Sequence, residues 1–97
     1  MLSQLLHLKG IETVVLERQT RDYVLSRIRA GVLENGFAKL MREAQCGEHM
    51  DREGEIHDGF YLAHGNKLNR VDLHKYSGGN SVMVYGQTEL TRDLYEA

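Results

Sequence analysis

Apolar residues recur along the chain at two different spacings, which predict its helices and strands. Leu2, Leu5 and Leu6 fall on one helical face, and Gly10 would end that helix because glycine readily takes the left-handed conformation beyond a last turn. Residues 11–16 are rich in β-branched and apolar side chains and lead into Glu17. This pattern is typical of a buried parallel strand with a polar residue at its carboxyl end.

The rest of the chain also shows helical and strand spacings in turn. Residues 18–31 are polar and rich in arginine, with a short helical pattern around Tyr23. Beyond them the pattern predicts a helix over 33–44, a hairpin within 56–73 about Gly65-Asn66, a turn over 77–80, a strand over 82–85 and a helix over 87–97.

Length and composition limit the classes of protein that fit. Ninety-seven residues make one domain at most, and apolar runs of no more than four residues are far short of the roughly 20 needed to cross a membrane. A net charge of −2 gives no overall case for binding nucleic acid or anionic lipid. The single Cys46 excludes an internal disulfide, and the first residues lack the pattern of a signal peptide, so we expect a cytoplasmic protein.

Glu17 is the first candidate for chemistry. In a dinucleotide-binding βαβ unit, an acidic residue ends the second strand about 20 residues after a glycine-rich loop, and it binds a ribose hydroxyl. Counting back from Glu17 passes Met1, so the first strand and its glycine loop would precede these residues. On local pattern alone, an ordinary surface strand ending at Glu17 is the more common case, because many strands are followed by an acidic residue. Cys46 and His49 lack a second pair at zinc-site spacing, so we expect no metal site.

Longer motifs carry a resemblance to a known family. The runs VLERQT at 15–20, RIRAGVLE at 27–34 and YGQTE at 85–89 closely resemble the 4-hydroxybenzoate 3-monooxygenases, which are FAD- and NADPH-dependent aromatic hydroxylases. The resemblance covers all 97 residues but only an early part of the family's chain. It implies an α/β fold: part of a Rossmann-like FAD-binding domain without its first strand, plus a β-hairpin from the substrate side (α+β as an isolated chain).

The resemblance also implies roles for particular residues. His57 would be the solvent end of a proton relay that deprotonates the phenol, for which an imidazole titrating near neutrality is suited. Arg21 stands where many members have proline. We expect this replacement of proline by arginine to loosen the turn before Tyr23. FAD would be bound by Glu17, Arg27, Ile28, Arg29, Ala30, Gly31, Val32 and Gln87, and NADPH by Arg18, Gln19 and Tyr23.

The whole family member would use NADPH and O₂ to convert 4-hydroxybenzoate to 3,4-dihydroxybenzoate, as a homodimer. We expect the 97-residue chain by itself to be inactive and to hold flavin poorly. Two alternatives remain at this stage. The chain could be a small module that binds nucleic acid through the basic segment 18–29, or a truncated chain with no function of its own.

Overall fold

The structure is a computed structural model that describes residues 1–27 and 29–97. Short helices and short strands alternate along these residues. The helices are α1 (Leu2–His7), α2 (Arg21–Ser26), α3 (Asn35–Glu43), α4 (Glu48–Glu53), α5 (Leu73–Tyr76) and α6 (Gln87–Glu96). The strands are β1 (Val32–Glu34), β2 (Glu55–His57), β3 (Gly59–His64), β4 (Lys67–Asp72) and β5 (Val82–Val84).

A three-stranded antiparallel sheet forms the centre of the molecule. The strand β5 lies between β1 and β2, so that Met83 is opposite Leu33 on one side and Ile56 on the other. Helices α3, α4 and α6 pack their apolar faces on this sheet. The resulting core is small and rich in methionine, a flexible side chain that fills irregular gaps. It consists of Ala38, Met41, Met50, Met83, Tyr85 and Leu90.

The predicted hairpin is present but shorter than expected. Strands β3 and β4 pair with each other and are joined by a tight turn at Gly65-Asn66. The positive φ of Gly65 (57°) suits this turn. Ile56 and His57, which the pattern placed in the hairpin, belong instead to β2 of the central sheet. A chain of alternating residues looks the same in either pairing, so its sequence pattern did not distinguish them.

The predicted buried strand over residues 11–16 was wrong. These residues form no strand and are exposed, with Val14, Val15 and Leu16 at 84%, 72% and 91% of their full exposure. A parallel strand needs a neighbouring strand for its backbone hydrogen bonds, and the described residues provide none beside this segment. The radius of gyration is 16.4 Å, compared with about 13 Å for a compact chain of this size, so the molecule is elongated.

Other predictions from the pattern are confirmed. Helix α1 is followed by Gly10 with a φ of 73°, and α6 directs Leu90 into the core. The helix predicted over 33–44 begins at Asn35, because Leu33 pairs with β5. The mixture of helices and strands confirms the predicted α/β class. No helix among residues 1–27 and 29–97 has the length and apolar character needed to cross a membrane.

Candidate functional site: an arginine-lined cleft between α2 and α6

A cleft of about 390 Å³ brings together most of the predicted cofactor-binding residues. It opens between the polar segment before α2, the residues after α2 and the first turns of α6. We call it the arginine cleft. It is lined by Glu17, Arg18, Gln19, Tyr23, Val24, Arg27, Arg29, Gln87 and Thr91.

A side-chain cap places the polar residues of this cleft. The Thr20 hydroxyl accepts a hydrogen bond from the Tyr23 backbone N–H at 3.2 Å and so begins α2. Tyr23 and Arg27 are four residues apart, which puts them on the same side of the helix. The Arg27 guanidinium donates to the Tyr23 hydroxyl at 3.2 Å and lies 5.7 Å from the centre of its ring. The phenol therefore holds Arg27 in position at the cleft.

Helix α2 is attached to α6 by contacts that lie outside the cleft. The Thr88 hydroxyl donates to the Leu25 carbonyl oxygen at 3.3 Å. Arg21 pairs with Glu96 at 3.2 Å, and its guanidinium lies 5.6 Å from the centre of the Tyr95 ring. Arg21 was expected to loosen the turn before Tyr23. The structure gives it a partner on the far end of α6 instead.

The first residue of α6, Gln87, contributes a side-chain amide to the cleft. Gln87 is the first helical residue after Gly86, so its side chain lies beside backbone N–H groups that have no partner within the helix. The partial positive charge of a helix N-terminus favours anions there. Thr91 lies one turn further along the same face, and its hydroxyl donates to the Gln87 carbonyl oxygen at 2.7 Å.

The charges of the cleft suit a ligand that carries both phosphate and hydroxyl groups. Three guanidinium groups, from Arg18, Arg27 and Arg29, lie with the single carboxylate of Glu17. Guanidinium groups form charge-assisted, often bidentate hydrogen bonds with phosphate oxygens. A carboxylate repels phosphate and accepts hydrogen bonds from hydroxyl groups, as in ribose. Glu17 also accepts a hydrogen bond from the Gln19 backbone N–H at 2.7 Å, which orients it.

Gly31 has a structural reason to be glycine. A Cβ atom at this position would lie 2.5 Å from the carbonyl oxygen of Tyr85 and 3.0 Å from the Cα of Gly86. The Tyr85 backbone N–H donates to the Gly31 carbonyl oxygen at 2.7 Å. Gly31 was predicted to allow close approach of a cofactor. The structure shows a close approach of the chain itself, immediately before α6.

Some predicted residues lie apart from the cleft. His57 is exposed in β2, with its Nε2 3.4 Å from a Glu55 carboxylate oxygen, and it is not among the cleft's lining residues. Ala30, Gly31 and Val32 follow Arg29 in the chain but do not line the cleft as the described residues define it. Ile28 lies outside the described residues.

Two lining residues were missed by the sequence analysis. Thr91 is four residues after Gln87, so the helical repeat of α6 could have indicated that both face the same way. Val24 gave no such signal, because an apolar residue in a short helix is ordinarily assigned to a core.

Comparison with known proteins identifies the family of the chain. A family model described as "FAD binding domain" matches residues 1–97, the whole chain. The chain belongs to the FAD binding domain family. A curated relative, p-hydroxybenzoate hydroxylase of Acinetobacter baylyi, is 42% identical over the same 97 residues.

The family match and the identity to this hydroxylase together confirm the resemblance stated from the motifs. The match covers all of this chain but 24% of the length of the hydroxylase from Acinetobacter baylyi. The residues of the arginine cleft are thus part of an FAD binding domain, and a larger part of the relative has no counterpart in these 97 residues.

Proposed function

We propose that the chain is part of a flavoprotein monooxygenase that uses NADPH and O₂ to hydroxylate 4-hydroxybenzoate to 3,4-dihydroxybenzoate. The arginine cleft is the observation that carries this proposal, because it combines an acid, three guanidinium groups and a helix N-terminus within one family-assigned domain. The name of the relative supports the substrate.

The FAD role is assigned to the cleft by its donor and acceptor set. Glu17 would accept hydrogen bonds from the ribose of the adenosine half, and Arg29 would bind pyrophosphate oxygens. Gln87, at the N-terminus of α6, would bond the flavin side, where the helix dipole favours negative charge. Arg27, which also lines the cleft, would lie beside the cofactor. These residues fit FAD in part, since the 97 residues contain no G-x-G-x-x-G loop for its pyrophosphate.

We assign NADPH to the residues of the cleft around the start of α2. Arg18 and Gln19 precede α2 and Tyr23 lies in its first turn. A guanidinium group can pair with the 2′-phosphate that distinguishes NADPH from NADH.

In the proposed reaction the bound flavin supplies the redox chemistry with O₂. The protein binds and orients the cofactors and the substrate, and it moves protons. Of the residues in this chain, the cleft residues bind the cofactors. His57 is proposed to carry a proton between solvent and the phenol of the substrate, for which its exposure in β2 is suitable. The 97 residues span a quarter of the relative's length, and we propose that they are inactive by themselves.

A nucleic-acid module is disfavoured by the composition of the cleft. Glu17 lies among the arginines, where its charge would repel a phosphate backbone. Arg21, counted in the basic segment 18–29, is paired with Glu96. A salt titration against a single-stranded oligonucleotide tests this alternative, since phosphate contacts would give an affinity that falls steeply with salt.

The test is an equilibrium titration of the purified chain with FAD, followed by the amide signals of a ¹⁵N-labelled sample. We expect saturable, weak binding, with shifts concentrated at Glu17, Gln19 and Gln87, and loss of the flavin on desalting. Arg29→Gln should weaken binding about 10-fold or more, because a charge-assisted hydrogen bond contributes roughly 1.5–3 kcal/mol.

Matched controls remove charges elsewhere. Glu17→Gln should also weaken binding, because it removes the charged acceptor proposed for the ribose hydroxyls. Glu43→Gln is the control for Glu17→Gln, and Lys67→Gln is the control for Arg29→Gln, since Glu43 and Lys67 are exposed and lie outside the cleft. Both controls should bind as the parent chain does. Amide shifts spread over the whole molecule, or absent from the cleft at millimolar FAD, would contradict the assignment.

A further inference from the structure

A second cluster of polar side chains lies outside the arginine cleft, where α4 meets α6. The His49 Nδ1 atom is 2.7 Å from the Tyr85 hydroxyl and 3.0 Å from Asp93 Oδ1. On its other side, His49 Nε2 is 3.0 Å from Glu53 Oε2. The Tyr85 hydroxyl donates to Asp93 Oδ2 at 2.6 Å. These contacts join α4, α6 and the segment after β5.

The donors and acceptors of this cluster match in one protonation state of His49. The single hydroxyl proton of Tyr85 goes to Asp93, so the Tyr85 oxygen is an acceptor toward His49 Nδ1. Both ring nitrogens therefore face acceptors, and both must carry a proton. Either neutral tautomer would set a nitrogen lone pair against a carboxylate, that of Asp93 or that of Glu53.

The surroundings of His49 favour the same charged state. The titratable groups that face it are Glu53 from its own helix, Asp93 from α6 and Tyr85 from the segment after β5. The hydrogen bond with Asp93, and then the charge of Glu53, raise the pKa of His49 above its ordinary value. Burial and the hydrogen bond to Asp93 raise the pKa of Tyr85, which therefore stays neutral as a donor. Glu89 also faces Tyr85, and it is bonded to Arg92.

Tyr85 connects this cluster to the cleft. Its side chain is almost fully buried, and its backbone N–H donates to Gly31. Gln87, which lines the cleft, is two residues further along. Whatever holds the Tyr85 side chain thus also holds the backbone where α6 begins.

We propose that His49 is a pH-sensitive clamp, whose doubly protonated ring ties α4 to α6 and holds Tyr85 in place, two residues before Gln87 of the arginine cleft. Among the described residues, no group of three or more His, Cys, Asp or Glu side chains is arranged to hold a metal ion. The clamp concerns the fold and does not depend on the FAD assignment.

The direction of the pH effect follows from linkage. A histidine whose pKa is higher in the folded state stabilises the fold below its unfolded pKa, about 6.5. This stabilisation is lost as the pH rises through the folded pKa. The clamp is therefore closed in mildly acidic solution and opens on the alkaline side.

The first test is an NMR titration of His49 in the intact 97-residue chain. We expect its midpoint to lie at higher pH in the folded chain than in the same chain in urea. Asp93→Asn and Glu53→Gln should each move the midpoint down. Glu53→Gln should leave the chain folded, because the Glu53 side chain is half-exposed. The Tyr85 and Gln87 amides should shift with the same midpoint as His49. A midpoint unchanged between the folded and unfolded chain would overturn the proposal.

The second test separates the clamp from a merely structural histidine. The free energy of unfolding of His49→Gln should fall below that of the parent chain in mildly acidic solution, and the difference should shrink as the pH rises. His64→Gln, on an exposed hairpin strand, is the matched control and should show no such pH dependence. A loss of stability in His49→Gln that is the same at every pH would overturn the proposal as well.

Discussion

The backbone N–H of Tyr85 donates a 2.7 Å hydrogen bond to the carbonyl oxygen of Gly31, and this bond brings two distant motifs together. Gly31 belongs to the RIRAGVLE run and Tyr85 begins the YGQTE run. Fifty-four positions separate them, yet their backbones lie in contact next to the start of α6. Both motifs, which carried the family resemblance, therefore meet at one place in the structure.

Replacing Gly31 tests this contact. A Cβ atom would lie 2.5 Å from the Tyr85 carbonyl oxygen, so Gly31→Ala should lower the free energy of unfolding by about 1–3 kcal/mol, as overpacking does. The measurement is urea unfolding. Gly36→Ala is the matched control, since a Cβ there meets no atom within 4 Å and the position lies in α3, where alanine is the better helix former. Equal effects of the two substitutions would contradict the contact.

Exposure of residues 11–16 leads to a second prediction. Leu16→Ala should change the free energy of unfolding by no more than about 0.5 kcal/mol, because Leu16 is 91% exposed. Met41→Ala should lower it by about 2–5 kcal/mol, because Met41 is fully buried in the core. Thermal unfolding of both variants provides the comparison. A large loss in Leu16→Ala would mean that this segment is a buried strand after all.

The Arg42–Asp51 pair predicts a stability effect at low pH. Two guanidinium nitrogens of Arg42 contact the Asp51 carboxylate at 2.6–3.0 Å, and this hydrogen bonding lowers the pKa of Asp51. Such a carboxylate stabilises the fold above its unfolded pKa of about 3.9, and the effect is lost as the pH falls through its folded pKa. Since the pair is exposed, Asp51→Asn should cost about 0.2–1 kcal/mol near neutral pH.

This effect is measured as urea unfolding near neutrality and again at about pH 3, where the difference in stability between parent and Asp51→Asn should be smaller. Glu12→Gln serves as the control, because Glu12 is exposed and should make no difference at either pH. A cost of Asp51→Asn that persists unchanged in acid would show that the ion pair is not its source.

The separate positions of His57 and Gln87 lead to the last prediction. Gln87 lines the arginine cleft and His57 does not. Gln87→Ala should therefore lower the affinity for FAD, measured from the amide shifts, and His57→Gln should leave it unchanged. Loss of one neutral hydrogen bond corresponds to about 0.5–1.5 kcal/mol, or up to about 10-fold in affinity. An equal loss in His57→Gln would place this histidine at the cofactor, contrary to the structure.

The hydrophobic pattern by itself determined the local elements. Helix α1 with Gly10, the hairpin about Gly65-Asn66 and helix α6 follow from short-range spacing and turn chemistry, which act over a few residues and are visible in any window of sequence. The motifs determined the family and most of the cleft, including Glu17 and Gln87.

Tertiary structure alone decided what those elements pack against. Residues 11–16 have the composition of a buried strand, but burial depends on a neighbouring strand that the described residues do not supply. His49 and Asp93 are 44 positions apart, and no periodicity relates them. Their contact exists because α4 and α6 pack on the same sheet, and packing between distant segments is the property that a single sequence does not display.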